Sequence, residues 1–260
     1  MKITVFTSNQ PRHLHLARSL SEIADEVCCI QECSTVFPGQ VDDFFKKSEV
    51  MQSYFEKVMA AEKKIFGDIG FMPSNVRTLA MKSGDLSKLS RQQLEQALDA
   101  DIYIVFGASY IKGWLIDELI IRKAVNIHMG VSPYYRGSSY NFWALFDNKL
   151  NYVGATVHKL SRGLDSGEKY FHCMPKLHAD DTGFDFTMRS VKVAHDALVS
   201  HISDGSIFKM DTVPQDKEQE VRYTRNSDFN DAVAKEFLDR AEQLILDESQ
   251  YPELIKPYFG

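Results

Sequence analysis

A surplus of positive charge is missing from this 260-residue sequence: 30 Lys and Arg stand against 36 Asp and Glu, a formal net charge of −6. Gripping a phosphate backbone needs Lys and Arg clustered on one face, so a large nucleic-acid partner is disfavoured. Apolar runs of membrane-spanning length are missing too, and the opening "MKITVFTSNQ" enters a strand pattern at once, without the apolar stretch of a signal peptide. The expectation is a cytoplasmic protein with no membrane attachment. Cysteine is scarce: Cys28, Cys29, Cys33 and Cys173 offer neither a disulfide framework nor paired CxxC spacing, and read as reduced, mostly buried thiols. His158, His172 and His178 alternate along strand-like segments but lack a compact ligand pattern, so no metal is expected. Internal repeats and low-complexity blocks are also wanting.

What is present suits a sizeable core, with 44% apolar and 25% charged residues. "KITVFTS" reads as a short strand, and Leu16, Leu20, Ile23 and Val27 recur at helical spacing behind it. "VCCIQ" reads as a second strand. Residues 40–66 carry an amphipathic pattern through Phe44, Met51, Phe55, Val58 and Phe66 with no strand directly after, which marks a helical insertion. "VRTLAM" is a candidate third strand, "SRQQLEQAL" a helix with Ser90 as its N-cap, and "DIYIVFGA" a continuous apolar run of the kind parallel sheets bury on both faces. "IKGWLIDELI" predicts a helix and "AVNIH" another strand. The alternation predicts an α/β architecture, a mainly parallel, doubly wound sheet with its site at the carboxyl ends of the strands.

The second half reads differently. "YVGATVHKL" and "EKYFHCMPKL", joined by "SRGLDSG", predict a β-hairpin added to the sheet edge. Phe184, Met188, Val191, Ala194, Leu198 and Ile202 then form one helical stripe with Gly205 past its end. Residues 1–205 are therefore expected to form the main domain and 206–260 a short, more polar extension ending in a modest helix and a Pro-containing tail.

On a strand, side chains two apart share a face, so Asn126 and His128 of "NIHMG" point the same way while Ile127 packs opposite. Either residue alone reads most simply as a satisfied core group or a turn cap. Together they put an amide and an imidazole into one small volume where the sheet opens. In "GLDSG", residues 163–167, Asp165 lies between two glycines on a loop able to approach that volume closely.

These ordered pieces, "VNIHMGVSPYYRG" and then "VGATVHKLSRGLDSG", closely resemble the 10-formyltetrahydrofolate-dependent formyltransferases, over residues 100–205 well and 1–30 loosely. That family includes glycinamide ribonucleotide formyltransferase, the amino-terminal domain of methionyl-tRNA formyltransferase and the amino-sugar N-formyltransferases. The resemblance implies a Rossmann-like formyltransferase fold, 10-formyltetrahydrofolate as formyl donor, and Asn126, His128 and Asp165 as the catalytic trio. The chemistry asks for the same types. Moving a formyl group onto an amine passes through a tetrahedral adduct with a negative oxygen, which an amide can steady. The attacking nitrogen sheds a proton, which an imidazole can take, and a carboxylate can orient that ring. No enzyme nucleophile is required.

By position, the resemblance places the donor's pterin against "GASYIK", with Ser109, Tyr110 and Lys112, and against the later loop at Arg162, Gly163 and Leu164. Departures from the family narrow the acceptor. Ribonucleotide-using members have a Gly-rich phosphate turn after the first strand, whereas Asn9 and Pro11 occupy those positions in "TSNQPRH". Methionyl-tRNA enzymes carry a basic carboxyl-terminal domain of about a hundred residues, unlike the polar extension here. Met129 and Gly130 stand where Pro and Ser are common, which reshapes the acceptor side. The resemblance in build is strongest to the amino-sugar enzymes, and the expected acceptor is a nucleotide-linked amino sugar. Arg222 and Arg225 are candidates for its phosphates, although a solvated turn explains them more simply, and Tyr134, Tyr135 and the aromatic-rich "YNFWALF" are candidates for stacking on a sugar or base, with Phe142, Leu145 and Phe146 at helical spacing better explained as core. Alternatives are a formyltetrahydrofolate hydrolase, another amine such as an amino acid or siderophore precursor, and a non-catalytic folate binder. A homodimer contact is one use for residues 40–66, and packing on the sheet or covering the acceptor pocket are others.

Overall fold

In a computed structural model, residues 1–37, 48–240 and 244–260 are described. The first strand, β1 (Lys2–Ser8), buries Ile3, Val5 and Phe6 completely or nearly so. Burial on both faces requires neighbours on both sides. They are β2 (Glu26–Cys33) and β4 (Ile102–Val105), both parallel to it, with β3 (Val76–Lys82) beyond β2 at the exposed edge. On the other side β5 (Val125–His128) pairs parallel to β4, and the hairpin β7 (Ala155–Lys159) and β8 (Lys169–Met174) continues the sheet antiparallel.

The hairpin does not end the sheet. A short strand at the chain's end, β10 (Tyr258–Phe259), pairs parallel to β8, completing the order β10-β8-β7-β5-β4-β1-β2-β3. Two further short strands, β6 (Tyr135–Arg136) and β9 (Arg222–Tyr223), form a separate parallel pair.

Helices cover both faces. On one lie α1 (Pro11–Ser21), α2 (Glu49–Phe66), α4 (Tyr140–Phe146) and α5 (Gly183–Ser203), sharing one core with Val5, Leu16, Phe142, Phe186 and Leu198. On the other, α3 (Gly113–Ile121) packs Leu115 and Leu119 against Phe6, Tyr103 and Val105. A last helix, α6 (Asp231–Asp239), lies against α2. The α5 start is a reciprocal cap: Thr182 accepts from the Asp185 amide, and Asp185 accepts from that of Thr182. At its other end Gly205 takes the left-handed conformation the sequence anticipates.

Two expectations change. Residues 90–98 form turns and a 3-10 helix (Glu95–Leu98) rather than an α-helix, although Ser90 and Gln93 still cap one another. So short a segment gains few intrahelical bonds against the cost of nucleation. Of the expected insertion, the part from residue 49 is α2, packed on α1, α5 and α6, while Phe44 and the rest of 40–47 lie outside the described residues. The cysteines form no disulfide; Cys29 and Cys173 are buried, Cys28 and Cys33 half-buried. No described helix is long and apolar enough to cross a membrane.

Candidate active site

Asn126 and His128 project from β5 to the same side, and the antiparallel register sets His158 of β7 directly beside Asn126. The loop after β7 folds back over this pair. It carries Asp165, whose Oδ2 lies 3.2 Å from His128 Nδ1 and whose Oδ1 accepts from Asn126 Nδ2 at 3.3 Å. The three residues singled out from the sequence thus meet. Two others join them. Tyr140, the first residue of α4, donates its hydroxyl to Asp165 Oδ2 at 2.6 Å and sets its ring edge-on to His128, centroids 4.0 Å apart. His158 Nε2 lies 2.9 Å from Asn126 Nδ2 and 3.7 Å from Asp165 Oδ1.

Burial opposes ionisation of Asp165, but the His128 ring beside it, with hydrogen bonds from His128 and Tyr140, holds its carboxyl far below the usual carboxylate range. It is a fixed negative charge. Its position has a backbone cost, since Asp165 sits at φ +46° in the left-handed region. Gln215 restrains it from outside, its Nε2 donating to the carbonyls of Asp165 and Gly167 at 2.8 Å each. Gly167 must be glycine, because a Cβ there would fall 1.7 Å from the Lys159 carbonyl oxygen.

Hydrogen-bond logic assigns protons. His158 Nδ1 faces the Lys159 carbonyl at 2.7 Å, and a carbonyl only accepts, so Nδ1 carries the hydrogen and the neutral ring's Nε2 accepts from Asn126. Both Asn126 N–H groups are thereby engaged, by His158 and Asp165. Swapping the amide's ends would set its oxygen against both the Asp165 carboxylate and the acceptor nitrogen of His158, so the hydrogen-bond network assigns Nδ2 to this side. His128 Nε2 has no hydrogen-bond partner among the described residues. With Nδ1 turned to Asp165, that atom is the one available for proton exchange with a bound molecule.

The trio forms one end of a crevice of about 340 Å3 between the β4 end and the hairpin loop, with Phe106, Ile111, Ile127 and Leu160 as apolar wall. Ser109, Tyr110, Gly163 and Leu164, four of the residues to which the resemblance points, line it. Tyr110 bridges the two walls by donating its hydroxyl to the Arg162 carbonyl at 2.7 Å. The Arg162 guanidinium itself pairs with Asp117 at 2.7 Å, and the Lys112 ammonium stands 5.4 Å over the Tyr110 ring; neither residue lines the crevice. Buried Glu32, of β2, fixes the Ser109 turn from beneath. It accepts from the amides of Ser109, Gly84 and Leu86 at 2.6, 2.7 and 3.3 Å, and from the Ser109 hydroxyl at 2.9 Å. An apolar slot edged by backbone groups suits a flat heteroaromatic ring with a hydrogen-bonding rim.

Other candidates serve the framework. The Arg222 guanidinium bonds Asp147 at 2.5 Å and lies 4.0 Å over the Trp143 ring, so it is engaged in packing rather than offered to phosphate. Tyr134 and Tyr135 are buried, donating to the Glu253 carbonyl at 2.9 Å and to Asp147 at 3.0 Å, and leave no free face for stacking. Arg225 is exposed in a turn. His172 is buried, with Nε2 donating to the Ser132 carbonyl and Nδ1 accepting from the Ile255 amide, both at 2.9 Å. Among the described residues no group of three or more His, Cys, Asp or Glu is placed to hold a metal ion. At the turn after β1, Glu62 accepts from the Arg12 amide at 3.0 Å and its guanidinium at 2.8 Å, so a carboxylate already occupies the α1 N-terminus.

Glu32, Tyr140, His158 and Gln215 escaped the sequence reading. Only His158 had a readable signal, as a polar residue on the strand that the hairpin sets against Asn126.

Comparison with known proteins supplies context. The family model described as "Formyl transferase" matches residues 1–202. The methionyl-tRNA formyltransferase of Listeria welshimeri is 29% identical over 157 residues, 60% of this chain and 46% of that protein. The chain thus spans about half the length of the curated relatives it matches. A 4-N formyltransferase from Francisella tularensis superposes with a TM-score of 0.55 at 16% identity, covering 87% of this chain and 77% of its own. An N-formyltransferase from Helicobacter canadensis, solved with folinic acid and dTDP-3-aminofucose, gives 0.51 at 13% identity, covering 88% and 72%.

Proposed function

The chain belongs to the formyl transferase family, and from that premise we propose that it moves a formyl group from 10-formyltetrahydrofolate to the primary amine of a small molecule, with Asn126, His128 and Asp165 as the catalytic groups. The observation that carries this reading is the single carboxylate whose two oxygens meet Asn126 Nδ2 and His128 Nδ1 at the mouth of an apolar crevice. Ser109, Tyr110, Gly163 and Leu164 would hold the donor there; Arg162 and Lys112 brace that wall through a backbone carbonyl and a ring contact. The donor supplies an activated formyl carbon.

In the overall exchange one C–N bond forms at the acceptor and one breaks at the donor nitrogen; the acceptor nitrogen loses a proton and the donor nitrogen gains one. His128 Nε2 is the atom that takes the first proton, and Asp165 steadies the imidazolium through Nδ1. Asn126 steadies the oxygen on which negative charge grows, a contribution on the order of 3 kcal/mol for such a donor. To do so, one of the two Asn126 N–H groups leaves its resting partner, His158 Nε2 or Asp165 Oδ1.

For the acceptor, a nucleotide-linked amino sugar is the reading we favour over a ribonucleotide. Glu62 fills the helix terminus where a phosphate would sit. Beyond the trio, a cavity of about 410 Å3 adjoins one of about 440 Å3 lined by Lys57, Lys64 and Arg240, and the two share Phe184 and Phe237. That gives length for an extended acceptor; at its far end Lys64 is held by Asp180 and Asp185, and Arg240 by Glu236. The test is to incubate protein and donor with a panel of amines, sugar nucleotides first, and look for a formyl mass gain. Rapid donor breakdown without any amine would favour the hydrolase instead. Failure across all sugar nucleotides with success on another amine would reject the sugar and keep the transfer.

A further inference from the structure

The sheet has two open edges, and they differ. At one, β10 is two residues long. At the other, β3 presents seven residues, paired along their whole length to β2 and to no further strand among the described residues. An edge of that length is a template for another strand unless Pro, a bulge or a central charge blunts it. The centre of β3, Thr78, Leu79 and Ala80, carries none of these and is exposed. Its charges, Arg77 and Lys82, stand towards the ends, and Arg77 is held by Glu26 at 3.2 Å and by Gln96. Leu79 is 40% exposed, and Ile69 and Phe71, in the segment that enters the strand, are exposed too.

Backbone register decides what this edge can accept. The Val27 amide donates to the Asn75 carbonyl at one end of the β2–β3 pair, and the Ser83 amide to the Cys33 carbonyl at the other. Ladder bonds fall on alternate residues, so the odd-numbered residues of 75–83 bond to β2 and the even-numbered ones turn N–H and C=O outwards. Two of those outward groups are engaged locally: the Val76 amide donates to the Pro73 carbonyl at 3.0 Å, and the Lys82 carbonyl accepts from the Asp85 amide at 3.1 Å. The remaining donors are the amides of Thr78, Ala80 and Lys82, and the remaining acceptors are the carbonyls of Val76, Thr78 and Ala80.

This set is its own complement. About a two-fold axis at Leu79, an antiparallel second copy brings Thr78 against Ala80 and Lys82 against Val76, so that every free donor meets a free acceptor. The two groups engaged locally are those that would otherwise have faced each other. Moving the axis to Thr78 strands the Lys82 amide, and moving it to Ala80 strands the Thr78 amide. Side chains agree with the Leu79 axis: Leu79 meets Leu79, Arg77 faces Met81, and no like charges stand directly opposite. We propose that the β3 edge joins a second copy of this chain in this register, running two sheets into one across a dimer axis. A seven-residue edge buries on the order of 1,000 Å2 in total, the lower bound for a specific interface, so the dimer is weak and concentration-dependent.

Sedimentation velocity over a dilution series of the full-length protein should show monomer passing to dimer as concentration rises. Leu79→Cys sets two sulfurs at the axis, where facing Cα atoms of a non-hydrogen-bonded pair lie about 4.5 Å apart, within disulfide reach. Under oxidant it should give a covalent dimer beyond anything the parent's own cysteines form. Met81→Cys alone should not cross-link, whereas Met81→Cys mixed with Arg77→Cys should. Ala80→Pro removes an outward N–H and leaves the bonds to β2, and should weaken association about tenfold or more. Leu79→Lys, which opposes like charges at the axis, should weaken it by a similar factor of about ten. A parent that stays monomeric at millimolar concentration, a dimer indifferent to both substitutions, or Met81→Cys cross-linking to itself as readily as Leu79→Cys would each overturn the proposal.

Discussion

The two loops that flank the trio are held in opposite ways. The loop around Ser109 is pinned from inside by Glu32 of β2, which accepts from the Ser109 amide and hydroxyl and ties them to the amides of Gly84 and Leu86. The loop bearing Asp165 is pinned from outside, by Gln215 of a polar strap that also bridges to Lys169 through Val213 and pairs with the Tyr134–Ser138 segment through residues 221–224. A buried carboxylate serving several donors is rigid and costly to disturb. A strap of exposed chain restrains by a few neutral bonds and can loosen without unfolding the sheet. The proposed donor site is thus built into the core, whereas placement of Asp165 depends on chain from beyond the matched residues 1–202.

Substitutions can break that comparison. Asp165→Asn keeps the loop's shape and removes the charge from both His128 and Asn126; kcat should fall on the order of a thousandfold or more, with the donor dissociation constant within about twofold of the parent. Equal loss of donor affinity would mean that the trio binds rather than reacts. Glu32→Gln should act on the other loop: an amide cannot accept from all the groups the carboxylate serves, so about 2–3 kcal/mol of stability is lost in denaturant titrations and donor affinity falls with it. Gln215→Ala should lower kcat about tenfold while donor affinity and thermal stability stay close to the parent's. Gln215→Glu should match it, since a carboxylate has no hydrogen to donate to two carbonyls. If Gln215→Ala weakened the donor instead, the two loops would not be separately held.

The smallest effect expected concerns pH. His172 ties the Ser132 loop to the tail at Ile255, and burial lowers its pKa to about 4. Burial also lowers His13 and His195 well below the ordinary histidine value. These rings stay neutral in the folded protein, while in the unfolded chain they take up protons below about pH 6.5. The unfolded state then binds more protons, so stability should fall as pH drops from about 6.5 towards 4. Urea midpoints across that window measure it, and His195→Phe should flatten the slope. A slope unchanged in that variant would place the acid sensitivity elsewhere.

Much of this was legible beforehand because it is local. Short β-rich runs identified β1, β5 and β7, the stripe from Phe184 to Ile202 identified α5, and a two-residue spacing put Asn126 and His128 on one face. The same logic misled at Ser90, where helical spacing marks a buried face but says nothing about whether eight residues can sustain an α-helix. At Arg222 and Tyr135, residue type suggested ligand contact; Asp147 and Trp143, distant in sequence from Arg222, engage them instead. Glu32 and Gln215 carried no signal, for a Glu at a strand end and a Gln in a polar stretch are ordinary until their partners are known.

The sequence by itself determined the order of strands and helices, which side chains share a strand face, and the chemistry an amide, an imidazole and a carboxylate can perform together, since these follow from backbone periodicity and residue type. Tertiary structure alone decided that Asp165 meets both partners, that His158 accepts from the Asn126 amide, and that Gln215 holds the loop. Those are contacts between segments far apart along the chain, and packing, which no local pattern encodes, brings them within hydrogen-bonding distance.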